Sequence, residues 1–344
     1  MKFGNWLFPI SLSQLDDGRL IVETLDEAKL CEKNGFHSVW LNEHHFDGTS
    51  VFADPVTFAA AIAACTKTIK IGFAVLQIAL HHPARLAAQC ALIDQLTQGR
   101  LIVGIGRGSV ANHYEYEAFD VSMEMGAGAL EEAEDLLIRA WTQENIVHEG
   151  KYWKTKFSQI RPVTYSKPHP PIIRSAISDR SVENLAGLCR PFLTAAGNPA
   201  EIDRKLSLYR NAATKSGHKQ SAIESAIRQI WFTTDIVVAD NSNDAKEIAQ
   251  KYLPIEQKFI SDARVKLNSA EWVNSKEGQG HLKHETLEDG FIYGSVDKVS
   301  NQITKLKDVG VNNLMLKVNT GQMEYSIIKK TIELLGEKII PRFS

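Results

Sequence analysis

The chain has 344 residues, of which 44% are hydrophobic and 23% charged, and its formal net charge is −2. This ordinary globular composition and balanced charge exclude a basic nucleic-acid surface and a polybasic membrane anchor, and the apolar runs are too short to cross a bilayer. The four cysteines are scattered without disulfide or zinc spacing, and the first residues lack a signal-peptide pattern, so we expect a reduced, cytoplasmic protein.

Strand-like and helix-like segments alternate along the whole chain. Strands are predicted at residues 2–8, 38–41, 69–76, 101–104, 172–174, 191–194, 227–238 and 313–318. Helices are predicted at residues 24–34, 55–65, 83–96, 129–141, 179–188, 199–215, 243–258, 295–307 and 325–338. Roughly eight β/α units favour an α/β fold, a (β/α)₈ TIM barrel in one domain over residues 1–344. The alternative is a doubly wound open sheet.

Residues 263–290 interrupt this alternation before the last β/α units. The stretch is polar, rich in Lys, Glu, His and Gly, and shows no sustained hydrophobic period. Such a segment is either a surface insertion or a mobile lid over the mouth of the barrel. We therefore predict an insertion or lid here.

The tetrapeptide Glu43-His44-His45-Phe46 follows the apolar run at 38–41, at the carboxyl end of a predicted strand. Barrels and open α/β sheets place their chemistry at such strand ends. A metal site is disfavoured, because none of the eleven histidines are spaced i, i+2. Adjacent histidines on an extended strand point to opposite faces and do not readily share a metal.

Two further segments predict an anion site. Residues 104–108 form a glycine-rich loop that carries Arg107, but Ser109 stands where a dinucleotide fingerprint needs its third glycine. Glycines and an arginine nevertheless suit a phosphate. Ser178 and Ser181 lie between a strand and a helix, where hydroxyls cap the helix or bind an anion. A surface cation and a plain cap are the simpler alternatives, but two such loops at successive strand ends favour a phosphate site.

Together with the segments 1–5, 94–108, 148–150, 167–171 and 340–343, these motifs resemble the bacterial luciferase-like family of flavin-dependent monooxygenases over almost the whole chain. The resemblance implies a barrel that binds reduced FMN at its C-terminal mouth. It also implies a separate NAD(P)H:flavin reductase that supplies this FMN, which reacts with O₂ to give a C4a-hydroperoxide. The expected activity is oxygenation of a small organic substrate.

Individual roles follow from the same resemblance. It implies that His44 is the catalytic histidine, where an imidazole with a near-neutral pKa can manage protons, and that His45 is structural. Arg107, Ser178 and Ser181 would bind the FMN phosphate. Ala74-Val75 falls on a non-prolyl cis peptide against which the isoalloxazine ring stacks. No metal is expected.

Three positions depart from the luciferase pattern. Gly106 stands in place of a reactive cysteine beside the flavin, Ile177 in place of a glutamate near the phosphate, and Ala127 in place of an arginine often found after residues 119–124. These departures are compatible with flavin binding, and with them the chain resembles the non-luminescent branch of the family more closely than the luciferases.

Other functions on the same barrel stay open. A deazaflavin- or FMN-dependent hydride-transfer enzyme and a non-catalytic flavin-binding relative are the alternatives, and the His44 and Arg107 motifs favour the monooxygenase. Aromatic residues at predicted strand ends, Trp6, Phe8 and Tyr114 among them, suggest an apolar or aromatic substrate. The resemblance and an alanine-rich helix at 55–65 also predict a homodimer, joined through this helix and the helix at 83–96.

Overall fold

The computed structural model describes residues 1–343, apart from the side chain of residue 127. The strands are β1 (Lys2–Leu7), β2 (Ser38–Leu41), β3 (Lys70–Phe73), β4 (Leu76–Gln77), β5 (Leu101–Gly106), β6 (Ile146–Glu149), β7 (Lys154–Phe157), β8 (Ile172–Ser175), β9 (Phe192–Ala195), β10 (Trp231–Val238), β11 (Ile292–Gly294) and β12 (Asn313–Lys317).

The helices surround these strands. They are α1 (Asp17–Lys33), α2 (Pro55–Cys65), α3 (Pro83–Thr97), α4 (His113–Ala118), α5 (Met123–Thr142), α6 (Asp179–Gly187), α7 (Pro199–Lys215), α8 (Gln220–Ile227), α9 (Ser242–Leu267), α10 (Ala270–Asn274), α11 (Lys276–His281), α12 (Val296–Asp308) and α13 (Tyr325–Leu334). Within the described residues, no helix is long and apolar enough to cross a membrane.

Parallel strands close into a barrel in the order β1-β2-β3-β5-β8-β9-β10-β12, and β12 pairs with β1 to complete the ring. The predicted (β/α)₈ barrel is therefore confirmed. β4 continues along β5 beyond the end of β3, and β11 pairs with the second half of β10. The antiparallel pair β6–β7 forms a separate hairpin that the sequence did not predict.

Apolar side chains fill the interior of the barrel. Trp40, Trp231 and Met315 are buried there together with isoleucines and a leucine from neighbouring strands. The indole ring of Trp40 packs directly against Gly72 on β3. A Cβ atom at Gly72 would lie 2.2 Å from this ring, so the position requires glycine. β2, β5 and β12 are buried along their whole length, as parallel strands covered on both faces should be.

Some predicted boundaries were wrong. The helix predicted at 24–34 begins at Asp17, and its polar first turn concealed the start. The strand predicted at 69–76 is divided into β3 and β4. The helix predicted at 243–258 continues to Leu267 through an internal Pro254, and its last turn contacts residues before α4. The insertion 263–290 therefore contains the end of α9, the short helices α10 and α11, and a 3₁₀ turn, Leu287–Asp289. Its mobility stays a prediction.

One buried carboxyl group on α1 predicts a pH-dependent stability. Burial raises the pKa of Glu27 to about 7 from 4.5, with the hydrogen bond from Asn5 opposing and the charge of Glu23 adding to the rise. Between these two pH values the folded state binds more protons than the unfolded state, so the free energy of unfolding falls as pH rises. Glu27→Gln is therefore expected to stabilise the protein by about 1–3 kcal/mol more at pH 8 than at pH 5.

A glutamine also fits the contacts at this position. Asn5 Nδ2 donates to Glu27 Oε1 at 2.7 Å, and Asn5 Oδ1 is buried without a partner among the described residues, so a glutamine amide could donate to it. Urea unfolding at both pH values measures the effect. Asp26→Asn is the control, because the Asp26 side chain is 48% exposed on the same helix. An equal effect of Glu27→Gln at both pH values would contradict the prediction.

Candidate active site

The residues predicted to carry the chemistry follow neighbouring strands of the barrel. His44 follows β2, Ala74-Val75 follows β3, Arg107 follows β5, and Ser178 and Ser181 follow β8. The ladder β2-β3-β5-β8 is continuous and parallel, so its carboxyl ends meet at one sector of the barrel mouth. The structure therefore brings these residues to one side of the same opening.

His44 is held by two side chains from the segment after β5. Its Nδ1 atom lies 3.2 Å from Glu115 Oε1 and 2.9 Å from Asn112 Nδ2, and its ring packs edge-on against Phe8. Burial alone would lower the pKa of His44. The hydrogen bond and charge of Glu115, with the charge of Asp47, outweigh burial and raise that pKa above its ordinary value. His44 is therefore an oriented imidazole whose surroundings favour its protonated form.

Glu115 is fully buried and acts as an anionic anchor for this region. It accepts hydrogen bonds from the backbone N–H of His45 at 3.0 Å, from Asn112 Nδ2 at 3.2 Å and from the Gln77 amide. Burial raises the pKa of Glu115, but its hydrogen bonds and the charge of His44 outweigh burial and lower it overall. A carboxylate in this setting favours the protonated form of the imidazole beside it.

Glu43 organises the other half of the tetrapeptide. Its carboxylate lies 3.0 Å from His45 Nε2 and 2.8 Å from His81 Nε2, and it accepts the backbone N–H of Gln77 at 2.6 Å. Burial raises the pKa of Glu43, but the charge of His81 and these hydrogen bonds outweigh it and hold the pKa at about 2. His45 thus contacts a buried carboxylate, and its structural role stays a prediction.

The Ala74-Val75 peptide bond is cis, as the resemblance predicts. It lies where β3 passes into β4, and its neighbours are the ends of β5 and β8. A Cβ atom at Gly106 would lie 2.6 Å from Val75 Cγ2 and 2.8 Å from Ser175 Oγ. Glycine at 106 therefore allows these three strand ends to pack closely, and the structure leaves no room for a cysteine there without rearrangement.

Arg107 and the start of α6 are the candidate phosphate contacts. The Arg107 side chain is exposed and forms no hydrogen bond or ion pair with any other described residue, so its donors are free. Ser178 Oγ caps α6 by accepting the backbone N–H of Ser181 at 3.3 Å, and Ser181 Oγ donates to the Ser178 carbonyl at 2.6 Å. The two serines therefore do serve as a helix cap, and Arg107 is a free cation at the next strand end.

Opposite this sector, the structure shows a charged cluster that the sequence interpretation missed. Lys317 at the end of β12 lies 2.8 Å from Asp235 Oδ1 on β10 and bonds the buried carboxylate of Glu256 on α9. Burial lowers the pKa of Lys317, but the two carboxylates outweigh it and keep the ammonium charged. The sequence could have indicated this cluster, because Asp235 lies within an apolar strand and Lys317 lies at the end of another.

A cavity of about 160 Å³ opens beside this cluster. Trp6, Asp235, Phe291 and Lys317 are among its lining residues, so it is more polar than the expected apolar opening. The other aromatic residues singled out in the sequence lie elsewhere. Phe8 packs against Trp6 and His44, whereas the Tyr114 hydroxyl donates to Asp47 at 2.5 Å. Among residues 1–343, no group of three or more His, Cys, Asp or Glu side chains is arranged to hold a metal ion.

Asn112 and Glu115 were also missed, and no local signal identifies them. Glu115 lies 71 residues from His44 in the chain, on a six-residue helix outside the barrel strands. Nothing in the spacing of Asn112 and Glu115 distinguishes them from an ordinary helix start. Only the packing of this helix over the barrel mouth brings them to His44.

Known proteins share this fold. The chain is 23% identical over 335 residues to the oxygenase component of the flavin-dependent trigonelline monooxygenase of Acinetobacter baylyi, which covers 95% of this chain and 91% of the relative. The oxygenating constituent of 3,6-diketocamphane monooxygenase from Pseudomonas putida, solved in complex with FMN, superposes with a TM-score of 0.78 at 19% identity, covering 100% of this chain and 99% of that one.

The same barrel also occurs in an enzyme that depends on coenzyme F420. The coenzyme F420-dependent tetrahydromethanopterin reductase of Methanopyrus kandleri superposes with a TM-score of 0.74 at 20% identity, covering 100% of this chain and 99% of that one. Likeness at this level of identity concerns the fold alone. The model of the luciferase-like monooxygenase family, in contrast, matches residues 1–313. The chain therefore belongs to the luciferase-like monooxygenase family, whose members are flavin-dependent enzymes.

Proposed function

We propose that this protein is the oxygenase component of a two-component monooxygenase, which uses reduced FMN and O₂ to oxygenate a small organic molecule. The observation that carries the proposal is the placement of His44. It is anchored by Glu115 and Asn112 at the barrel mouth that also holds the cis peptide Ala74-Val75 and the free cation Arg107. In this proposal His44 is the acid–base group, the Ala74-Val75 peptide forms a flat wall, and Arg107 donates hydrogen bonds to the phosphate. All three lie in one sector of the barrel mouth.

The residues present fit an FMN. Arg107 offers an unpaired fork of N–H donors, and α6 directs its N-terminus toward the same strand ends, so both would contact the phosphate. The close packing of Val75 against Gly106 would form the wall for the ring system. When bound, reduced FMN supplies the electrons that activate O₂.

In this proposal His44 moves protons at the mouth. Its Nδ1 is engaged by Asn112 and Glu115, so Nε2 is the ring nitrogen left to contact a substrate or an oxygen-derived group. Glu115 stabilises the charged imidazole and raises the pKa of His44, so that His44 holds a proton that it can release to a group at Nε2.

The proposal includes a partner enzyme. An oxygenase component does not itself reduce flavin, so an NAD(P)H:flavin reductase must deliver reduced FMN. The names of two of the compared proteins support this arrangement, since one is an oxygenase component and the other an oxygenating constituent. Trp6 and Phe291 offer aromatic surface for an organic substrate.

Anaerobic titration distinguishes this proposal from hydride transfer with a deazaflavin. The protein is titrated with oxidised FMN, reduced FMN and reduced coenzyme F420, and O₂ is then mixed in while the visible absorbance is followed. We expect tight binding of reduced FMN and an O₂-dependent absorbance change that free FMN does not show. Preferential binding of F420, without O₂ chemistry, would favour the hydride-transfer alternative. Binding of FMN without any change on mixing with O₂ would indicate a non-catalytic relative.

We also propose a homodimer joined through α2 and α3. The outer face of α2 exposes the small residues Ala61 and Ala64, whereas Ala60 is partly covered by the rest of the chain. On α3, Leu92 and Leu96 are 49% and 52% exposed. Exposed leucines beside small side chains form an apolar surface on which a second copy can pack closely.

Ala64→Glu tests this interface. A buried carboxylate at the centre of a close helix contact is costly, so we expect the variant to be a folded monomer at micromolar concentration, where the parent is a dimer. Analytical ultracentrifugation measures both. Ala222→Glu, an exposed alanine on α8, is the control and should leave the dimer intact. A parent protein that sediments as a monomer would exclude the interface.

A further inference from the structure

The Asn112 amide beside His44 lies between two oppositely charged groups. Its Oδ1 accepts from Arg264 Nε at 3.4 Å, and its Nδ2 donates to Glu115 Oε1 at 3.2 Å. A carboxylate only accepts hydrogen bonds and a guanidinium only donates them. Turning the amide by half a rotation would place its oxygen against Glu115 and its NH₂ group against Arg264. The two charges therefore determine the orientation of the amide.

This orientation acts on the protonation of His44. Asn112 Nδ2 also lies 2.9 Å from His44 Nδ1 and carries a second N–H, which needs an acceptor. A neutral imidazole has one donor and one acceptor nitrogen, so Nδ1 must then be the acceptor and the proton lies on Nε2. Glu115, at 3.2 Å from the same nitrogen, favours the opposite arrangement with a proton on Nδ1. The balance between these two contacts decides the tautomer.

We propose that Arg264 is a positioning residue, which fixes the Asn112 amide and thereby holds neutral His44 in the Nε2–H form. The Nε2 atom has no hydrogen-bond partner among residues 1–343, so its N–H is presented to the barrel mouth as a donor. The functional meaning of this arrangement rests on the proposed role of His44, but the arrangement itself is a property of the protein without flavin.

The charges around His44 support the same role for Arg264. Glu115 on α4 and Asp47 on the loop after β2 favour the imidazolium, whereas Arg264 on α9 opposes it. The Lys317 ammonium on β12 lies over the ring of Phe8, which also packs edge-on against His44, and it forms no hydrogen bond with the imidazole. Removing the Arg264 side chain would delete the opposing cation and release the Asn112 oxygen. Both changes favour a proton on His44 Nδ1.

Arg264 is itself placed by the 263–290 insertion. Its Nη1 group donates to the His281 carbonyl at the end of α11 at 3.0 Å, and Asn268 Nδ2 donates to the Ala111 carbonyl at 2.9 Å. The turn that carries Asn112 is therefore tied to this insertion at two points. Arg264 and Asn112, which are 152 positions apart in the chain, together set the tautomer of the His44 imidazole.

NMR of protein labelled with ¹⁵N-histidine tests the inference, because the ring shifts distinguish the two tautomers and report the pKa. His44→Gln assigns the signal by removing it. We expect neutral His44 in the parent to be the Nε2–H tautomer. Arg264→Met should move the equilibrium toward Nδ1–H and raise the pKa of His44 by about one unit, the order expected when a nearby charge is removed. Lys266→Met, an exposed cation on the same helix, is the control.

An Nδ1–H tautomer in the parent, or shifts that do not change in Arg264→Met, would overturn the inference. Asn112→Ala provides a second route if Arg264→Met does not fold. It removes the competing N–H donor directly and should also produce the Nδ1–H form. Since neither flavin nor turnover enters this measurement, its result is independent of whether the monooxygenase proposal is correct.

Discussion

Replacement of His44 by alanine is expected to lower turnover by about 10²–10⁴-fold, the usual range for a lost acid–base group. Affinity for reduced FMN should change little, because the candidate phosphate contacts follow β5 and β8 rather than β2. Binding of reduced FMN by anaerobic titration and single-turnover oxygenation of a substrate measure the two quantities separately.

The pH dependence adds a readout specific to the imidazole. Glu115 raises the pKa of His44 despite its burial, so the turnover profile of the parent should show an inflection above the ordinary histidine value. His44→Ala should lose that inflection, and added imidazole should restore part of the rate. His113→Ala, at the start of α4 with a side chain that is 37% exposed, is the control. Unchanged turnover in His44→Ala would remove His44 from the mechanism.

Replacement of Arg107 by alanine is expected to weaken FMN binding by about 1.5–3 kcal/mol, the range for a hydrogen bond to a charged group. The structure supports this size of effect, because the guanidinium forms no competing hydrogen bond or ion pair with other residues in the described chain. Arg107→Lys should fall between parent and alanine variant, since it keeps the charge but loses the fork of donors.

Riboflavin provides the matching control ligand, because it lacks the phosphate. Arg107→Ala should weaken the binding of FMN but not that of riboflavin, whereas a general disturbance of the site would weaken both. Arg85→Ala, an exposed arginine on α3, controls for the loss of a positive charge. Equal FMN affinity of Arg107→Ala and parent would place the phosphate elsewhere.

Local sequence patterns were enough to predict the barrel. Each barrel strand is a short apolar run bounded by turn residues, and prolines mark the starts of α2 and α3. Since parallel strands in a barrel share one direction, the motif after each strand necessarily lies at the same mouth. His44, Ala74-Val75, Arg107 and the two serines could therefore be assigned to one region without coordinates.

The ends of the helices and the contacts between distant side chains depended on tertiary packing. Pro254 lies within α9 and the helix still continues to Leu267, where Asn268 bonds the Ala111 carbonyl. A prediction from local composition alone ends such a helix too early, because the contacts that stabilise its last turns come from a distant segment.

By itself, the sequence determined the fold, the family resemblance and the strand-end position of each candidate group. The tertiary structure decided what surrounds them: Glu115 and Asn112 against His44, Arg264 behind Asn112, and Lys317 between Asp235 and Glu256. The physical reason is that sequence patterns report on neighbours along the chain, whereas these contacts join residues that are neighbours only in space. Periodicity fixes which face of an element is buried, whereas hydrogen bonds and charges that tune a pKa act over a few ångströms between residues far apart in the chain.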